Sequence, residues 1–113
     1  MKTFTLAVAA ERSGLSPNQV RTYLDMGLLR PCARSDGGFR MFDEDCVRRL
    51  RLIKICRVAD IGLAEIGVFI HSLDGEDRAR CREVERLLSQ RIRDKRRALG
   101  RCARALAAAI EAS

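Results

Sequence analysis

A short segment near the N-terminus carries side chains suited to contacts with a nucleic acid. Its amide, hydroxyl and guanidinium groups are those of Ser16, Asn18, Gln19, Arg21, Thr22 and Tyr23. Amide and guanidinium groups match the hydrogen-bonding edges of bases, and hydroxyl and basic groups match phosphates. A second set, Gly38, Phe39 and Arg40, follows in a glycine-containing segment. We predict that both sets bind DNA, with Arg40 contacting the DNA backbone and with Arg34 and Arg48 as weaker candidates.

The cysteines and the single histidine are the other residues that could support chemistry. The five cysteines are an odd number without a C-x-x-C pair, and they are Cys32, Cys46, Cys56, Cys81 and Cys102. Such scattering favours reduced thiols in a cytoplasmic protein over a disulfide framework. His71 lacks a ligand pattern around it, and the chain has no nucleotide-binding loop and no nucleophile paired with a base. The sequence therefore predicts neither an enzyme nor a cofactor.

Helix start and stop signals place the first set of polar residues on a helix. A helix over residues 6–12 follows Thr5 and ends before Gly14. Ser16 is a good N-cap for the next helix, Gln19 can complete a capping box, and Gly27 can end that helix. Two helices joined by a short glycine-containing turn form a helix-turn-helix.

The following segment has the pattern of a wing and two further helices. Residues 28–31 are predicted as an exit strand, residues 39–42 as its partner, and Arg40 as the tip of this ribbon. Asp43 is predicted to cap a third helix with Val47, Leu50, Ile53 and Val58 facing inward. A fourth helix is predicted over residues 63–73. The fold class is therefore mainly α, a winged helix-turn-helix with four helices and a two-stranded wing.

The last third of the chain is predicted as one long helix. About 36 residues of helix would extend for about 54 Å, which is too long for one small domain to bury. Apolar residues recur at spacings of three and four, and we call six of them the apolar seam: Val84, Leu88, Ile92, Leu99, Cys102 and Leu106. A narrow apolar stripe on a charged helix favours a partner helix. We predict a DNA-binding domain over residues 1–73 and a dimerisation helix over residues 76–113.

The charge balance is consistent with an anionic partner but does not locate it. The net charge is +7, yet eleven of the 22 basic residues and only six of the 15 acidic residues lie in residues 76–113. The excess of positive charge therefore lies mostly outside the predicted recognition helix. No apolar run approaches the roughly 20 residues of a membrane span, and no signal peptide is recognisable. We expect no membrane partner.

The motifs, in this order and spacing, resemble those of the MerR-type transcriptional regulators. The matching segments cover residues 4–73, and they are Phe4-Thr5-Leu6, Gly14-Leu15-Ser16-Pro17, Val20-Arg21-Thr22-Tyr23, Gly27-Leu28-Leu29-Arg30-Pro31, Gly38-Phe39-Arg40-Met41-Phe42-Asp43, Arg49-Leu50 and Ile61-Gly62-Leu63. Within the family, the chain resembles the short co-regulators of mercury-resistance operons. One departure is Thr22, which stands where the family usually has an aromatic residue.

This resemblance implies a mode of action. The final helices of two copies would form an antiparallel coiled coil, and the homodimer would bind a nearly palindromic promoter site. Distortion of the spacer DNA would then let RNA polymerase use both promoter elements. Two alternatives remain open: a coiled-coil assembly factor on a winged-helix scaffold, and a thiol-based metal or redox sensor.

Cys81 is the residue on which a sensor would depend. Metal-sensing members of the family use cysteines near the start of the long helix, and the resemblance places Cys81 there. Cys102 could approach the Cys81 of a second copy only if the antiparallel overlap were centred near residues 91–92. However, both thiols lie on the apolar stripe, where cysteine packs as a small hydrophobe, and one thiol at each place falls short of a closed four-ligand site. The prediction is no metal site, with Cys81 as the one weak candidate.

Overall fold

The computed structural model describes residues 2–113. The chain divides into two compact units, one ending at Asp74 and the other spanning Gly75–Ser113. No helix in this described part of the chain combines the length and apolar character needed to cross a membrane. The roles predicted above for the two parts of the chain, DNA binding and dimerisation, stay predictions.

The first two helices form the predicted helix-turn-helix. Helix α1 spans Leu6–Ser13, and helix α2 spans Pro17–Asp25. The Thr5 hydroxyl caps α1 by accepting a hydrogen bond from the Val8 amide at 3.3 Å. The chain leaves α1 through Gly14, whose φ of 72° lies in the left-handed region that glycine adopts without a steric cost. The turn signals therefore predicted both helices and the connection between them.

A two-stranded antiparallel wing follows, but its first strand is displaced from the prediction. Strand β1 is Ala33–Arg34 and strand β2 is Arg40–Met41, with Ala33 opposite Met41 and Arg34 opposite Arg40. The predicted exit strand at residues 28–31 was wrong. Leu28 and Leu29 are 1% and 3% exposed, because this apolar pair packs in the core instead of pairing with the second strand.

Helices α3 and α4 complete the first unit. Helix α3 spans Glu44–Val58 after an Asp43 N-cap, and helix α4 spans Leu63–Asp74. Side chains of the four helices and of the segments between them form the core, and the largest fully buried ones are Phe42, Leu28, Leu50, Ile53, Ile61, Ile66, Ile70, Val20 and Val47. Val58 was predicted to face inward and is instead 80% exposed, because it is the last residue of α3.

Basic side chains of α3 hold the end of α1. Arg51 Nε donates to the Arg12 carbonyl at 3.1 Å, and Lys54 Nζ donates to the Gly14 carbonyl at 2.8 Å. The last carbonyls of a helix lack partners within the helix and carry partial negative charge, so these cations stabilise that end of α1. This arrangement fixes the turn that precedes α2.

The second unit consists mainly of helix α5, which spans Arg78–Ala112 and contains 35 residues. It begins at an Asp77 N-cap, whose carboxylate accepts a hydrogen bond from the Arg80 amide at 3.1 Å. At 1.5 Å per residue the helix is about 52 Å long. The predicted mainly helical fold, with a wing and a long final helix, is therefore confirmed, whereas the pairing of two copies stays a prediction.

Candidate nucleic-acid interface

The first turn of α2 is fixed by a capping box. The Ser16 hydroxyl accepts a hydrogen bond from the Gln19 amide at 3.1 Å, and the Gln19 side-chain oxygen accepts one from the Ser16 amide at 2.9 Å. Pro17 occupies the first turn, where its missing N–H costs nothing. Val20 is fully buried beneath this turn. The N-terminal end of α2 is therefore held rigidly while its other face remains open to solvent.

The exposed face of α2 presents a connected set of polar groups. Arg21 Nη1 donates to Asn18 Oδ1 at 2.8 Å, and the Thr22 hydroxyl donates to the Asn18 carbonyl at 3.0 Å. All three side chains, with Ser16 and Gln19, are exposed. Arg21 uses one of its five N–H donors in the hydrogen bond to Asn18, so the others can still bind a ligand. These groups match the donors and acceptors that recognise bases and phosphates.

Tyr23 lies differently from the other predicted residues of this helix. Its side chain is only 6% exposed, because it lies on the buried side of α2 with Val20. Most of the side chain therefore packs in the core, and Tyr23 lines the groove next to Thr22 with little exposed surface. Tyr23 therefore offers a ligand much less contact area than the exposed residues of α2.

A groove beside α2 contains two basic residues that the sequence did not indicate as site residues. Lys54 and Arg57 of α3 line it together with Asn18, Gln19 and Thr22. Arg57 Nη1 donates to the Ile61 carbonyl at 3.1 Å, and Lys54 bonds to the turn before α2. Both residues lie on the polar side of α3 in the sequence pattern. Only tertiary packing brings them to α2, so no local signal could have located them.

The wing positions its predicted residues around a tight turn. Gly38 has a φ of 81°, and its amide donates to the Ser35 carbonyl at 2.9 Å. Arg34 Nη1 donates to the Gly38 carbonyl at 3.0 Å, so this guanidinium braces the turn. Phe39 is 72% exposed beside it. The predicted position of Arg40 at the tip was wrong: it is half-buried within β2, because the turn is formed by residues 35–39.

Arg48 is exposed on the first turns of α3, where it pairs with Asp45 three residues earlier. The pair is on the surface, with side-chain exposures of 66% and 75%, so solvent screens it strongly. Part of the Arg48 charge is thus already balanced within the protein. Arg48 is not one of the residues that line the groove beside α2.

The thiols do not form an evident metal site. The structure contains no cluster of three or more histidine, cysteine or carboxylate side chains arranged to hold a metal within residues 2–113. Burial raises the pKa of the Cys46 thiol to about 11, and this thiol donates to the Arg30 carbonyl at 3.2 Å. Cys81 is half-buried and Cys102 exposed. These two lie about 32 Å apart along α5, so one chain does not bring them together.

The apolar seam extends along α5 and is open over most of its length. Val84, at its N-terminal end, is buried, and Leu88 is half-buried. The remaining members are exposed, with values of 40% for Ile92, 71% for Leu99 and 65% for Leu106, and Cys102 is exposed as well. Covering large apolar side chains aligned in this way with a second surface is favourable, because it removes apolar area from water.

The sequence matches a known family over nearly the whole first unit. Residues 4–73 match the model of the MerR HTH family regulatory proteins. A MerD transcriptional regulator of Shigella flexneri is 33% identical over 99 residues, which cover 88% of this chain and 82% of the relative. A MerD regulator of Acinetobacter calcoaceticus is 34% identical over 108 residues, covering 96% of this chain and 89% of the relative.

Two solved structures share the fold and part of the sequence. HiNmlR, a MerR family regulator lacking the sensor domain and bound to promoter DNA, has a TM-score of 0.76 and 26% identity, covering 93% of this chain and 79% of its own. PbrR691 of Ralstonia metallidurans, in complex with Lead(II), has a TM-score of 0.63 and 28% identity, with coverages of 91% and 82%. The chain belongs to the MerR family of helix-turn-helix regulatory proteins.

Proposed function

We propose that this protein is a transcriptional regulator that binds a promoter site in a sequence-specific manner. The observation that supports this most directly is the exposed polar face at the start of α2, which a capping box holds in place. In a helix-turn-helix, the N-terminal residues of the second helix contact base edges in the major groove. Asn18, Gln19, Arg21 and Thr22 would make these contacts. A similar family member is described with promoter DNA bound.

The wing and the neighbouring helix would position the duplex. Arg34, Arg40 and the exposed Phe39 lie around the wing, and Lys54 and Arg57 flank the groove of α2. Contacts of this kind fix the register of a protein on DNA and carry little sequence information. Arg48, which is already paired with Asp45, would contribute less.

The protein would act as a homodimer. Two copies that pair their apolar seams in antiparallel fashion would cover Leu99 and Leu106, which are 71% and 65% exposed. A twofold dimer binds two half-sites about 34–36 Å apart, so its target would be nearly palindromic. Distortion of the DNA between these half-sites would control the access of RNA polymerase. Such a regulator acts on cytoplasmic DNA and catalyses no reaction.

The high coverage of the MerD relatives supports a narrower assignment. These regulators match 88% and 96% of this chain, so the similarity extends into α5. A role as a co-regulator of a mercury-resistance operon would therefore suit this chain. The residues that would sense a metal are not assigned, and Cys81 would be the thiol to test first.

Selection from a random duplex library, followed by fluorescence anisotropy, tests the proposal. Wild-type protein should enrich a nearly palindromic site and bind it with an affinity that decreases as salt is added. The R21A/R40A double variant should lose at least about tenfold in affinity for that site, since a base contact is worth about 1–3 kcal/mol. The E11Q variant, changed on a different helix, is the matched control and should bind like the wild type.

Two outcomes would contradict the proposal. Wild-type protein that enriches no site would favour an assembly factor acting through α5. A double variant that binds the selected site normally would place the recognition surface elsewhere. The dimer has its own test: L88K/L99K should sediment as a monomer, and an unchanged dimer would exclude the apolar seam as the interface.

A further inference from the structure

The positive charge of α5 has no role in the function proposed above. Between Arg91 and Arg104 the sequence contains seven basic residues and a single acidic one, Asp94. This is the densest positive stretch of the chain, and it lies outside α2 and the wing. Basic residues that serve only solubility, or that interact only with the helix dipole, need not lie on one side of the helix. A one-sided arrangement would therefore indicate a binding surface.

Three of these seven basic residues lie on one side of α5 together with two earlier arginines, whereas Arg91 and Lys95 fall on the side of the apolar seam. With 3.6 residues per turn, five arginines at spacings of four and seven fall on a single face of α5. We call them the arginine face, and they are Arg82, Arg86, Arg93, Arg97 and Arg104. The centre of this face is about 150° around the helix axis from the centre of the apolar seam. Covering the seam with a second copy would therefore leave the arginine face open.

Local contacts leave much of this charge unbalanced. Arg86 pairs with Glu83 at 2.9 Å, and Arg97 lies 3.6 Å from Asp94. Arg93 donates to the neutral Gln90 at 2.9 Å, so its charge is not compensated by that bond. Solvent exposure is high along the whole face. The face therefore retains a net positive potential.

Gly100 makes a hollow within this surface. Arg96, Arg97, Arg101 and Arg104 line the hollow around it. A Cβ atom at position 100 would lie 3.3 Å from Nη1 of Arg104, so the missing side chain leaves room for this guanidinium against the helix. Four arginine residues thus line a small depression of the helix surface.

We propose that the arginine face binds the phosphate backbone of double-stranded DNA as a second, sequence-independent contact surface. Guanidinium groups bind phosphate with paired hydrogen bonds, and the five arginines extend for about 33 Å along the helix, close to one turn of a duplex. An acidic protein partner fits less well. Protein interfaces centre on apolar or aromatic anchors, and the α5 residues that share this side with the arginines include no large apolar side chain: they are Ala79, Ser89, Gly100, Ala107 and Glu111.

The test compares two double variants of the full-length protein. R97Q/R104Q removes two charges from the arginine face, and R80Q/R91Q removes two from other sides of the same helix. Each is titrated onto the selected promoter duplex and onto an unrelated duplex of equal length, at several salt concentrations. For R97Q/R104Q, the slope of log affinity against log salt should decrease by about 0.9 for each lost phosphate contact, on both duplexes. R80Q/R91Q should keep the wild-type slope.

Equal slopes for the two double variants would overturn the inference. A loss confined to binding of an acidic polypeptide such as polyglutamate, with DNA binding unchanged, would overturn it as well. Sedimentation and circular dichroism verify that both variants remain folded in the wild-type oligomeric state. Binding of DNA by the arginine face rests on the proposed function, and the R21A variant distinguishes a failure of one from a failure of the other. That variant should lose its preference for the promoter duplex while keeping its salt dependence on the unrelated one.

Discussion

Ser16 and Gln19 exchange two hydrogen bonds across the first turn of α2, at 3.1 Å and 2.9 Å. The same turn carries the polar groups proposed to meet DNA. Because the Gln19 oxygen is engaged with the Ser16 amide, its side-chain NH₂ group is the part that remains available to a base or phosphate. The capping box therefore both stabilises the helix and selects which atoms of Gln19 can face a duplex.

Loss of this cap should weaken the fold and the interface together. Ser16→Ala removes the acceptor for the Gln19 amide, so the free energy of unfolding should decrease by about 1 kcal/mol in urea titrations. Affinity for the promoter duplex should decrease as well, because the first turn of α2 frays. Ser16→Asp retains a capping oxygen and serves as the control for stability. Wild-type stability in Ser16→Ala would show that the cap contributes little.

The wing turn depends on the backbone conformation of Gly38. A Cβ atom there would meet no atom within 4 Å, but the φ of 81° is unfavourable for any other residue. Gly38→Ala should therefore cost about 1–2 kcal/mol locally, through the backbone alone. We expect lower DNA affinity and a free energy of unfolding in urea that is lower by at most this amount. Gly27→Ala, at a φ of 75° at the end of α2, is the comparison for a positive φ outside the wing. Unchanged DNA affinity in Gly38→Ala would show that the wing turn does not contribute to DNA binding.

The cysteines should differ strongly in their reaction with iodoacetamide. At pH 8 a thiol with a pKa of about 11 is ionised about a hundredfold less than one with a pKa of 9.0, and Cys46 is also only 7% exposed. Peptide mass spectrometry over time should show fast labelling of the exposed Cys32 and Cys102, and very slow labelling of Cys46. In urea, labelling of all five should proceed at similar rates. Fast labelling of Cys46 in the folded protein would contradict its burial.

An ion pair between α3 and α4 should make stability sensitive to acid. Arg49 binds both carboxylate oxygens of Asp74, with Nη1 to Oδ2 at 3.1 Å, and these hydrogen bonds lower the pKa of Asp74 below its usual 3.8. The unfolded state therefore binds the proton more readily. The stabilisation is complete above about pH 4 and is lost as the pH falls through the lowered pKa.

The Arg49→Gln variant measures this contribution. The pair is partly exposed, so its loss should cost less than about 1 kcal/mol at neutral pH. Urea unfolding from pH 7 to pH 3 should show a shallower loss of stability for the variant than for the wild type. The hydrogen bond from the Cys46 amide also lowers the pKa of Asp43, so the variant should keep part of the acid sensitivity. Parallel curves for the two proteins would argue against the role of Asp74.

Local signals predicted the parts of the fold that local chemistry decides. The caps at Thr5, Ser16 and Asp43 lie where the hydroxyl and carboxylate residues indicated, and Gly14 and Gly27 take the positive φ values expected of helix-ending glycines. Each of these features depends on a few neighbouring residues. The sequence was therefore sufficient to place the helices that carry the candidate site.

Long-range packing decides the features that the sequence did not predict. The pair Leu28 and Leu29 has the apolar character of a strand, but the core takes both side chains and the wing forms five residues later. Val58 continues the apolar pattern of α3 beyond the point where the core ends. Lys54 and Arg57 reach the groove of α2 only because α3 packs on α1.

Hydroxyl-radical footprinting of the wild-type protein on its selected promoter duplex tests the central claim most directly. A homodimer with one α2 in each of two major grooves should protect two equivalent segments, with centres one helical turn of the duplex apart or a multiple of it. The complex should contain two chains per duplex by sedimentation. A single protected segment with one chain bound, or no protection at any protein concentration, would contradict the proposed mode of binding.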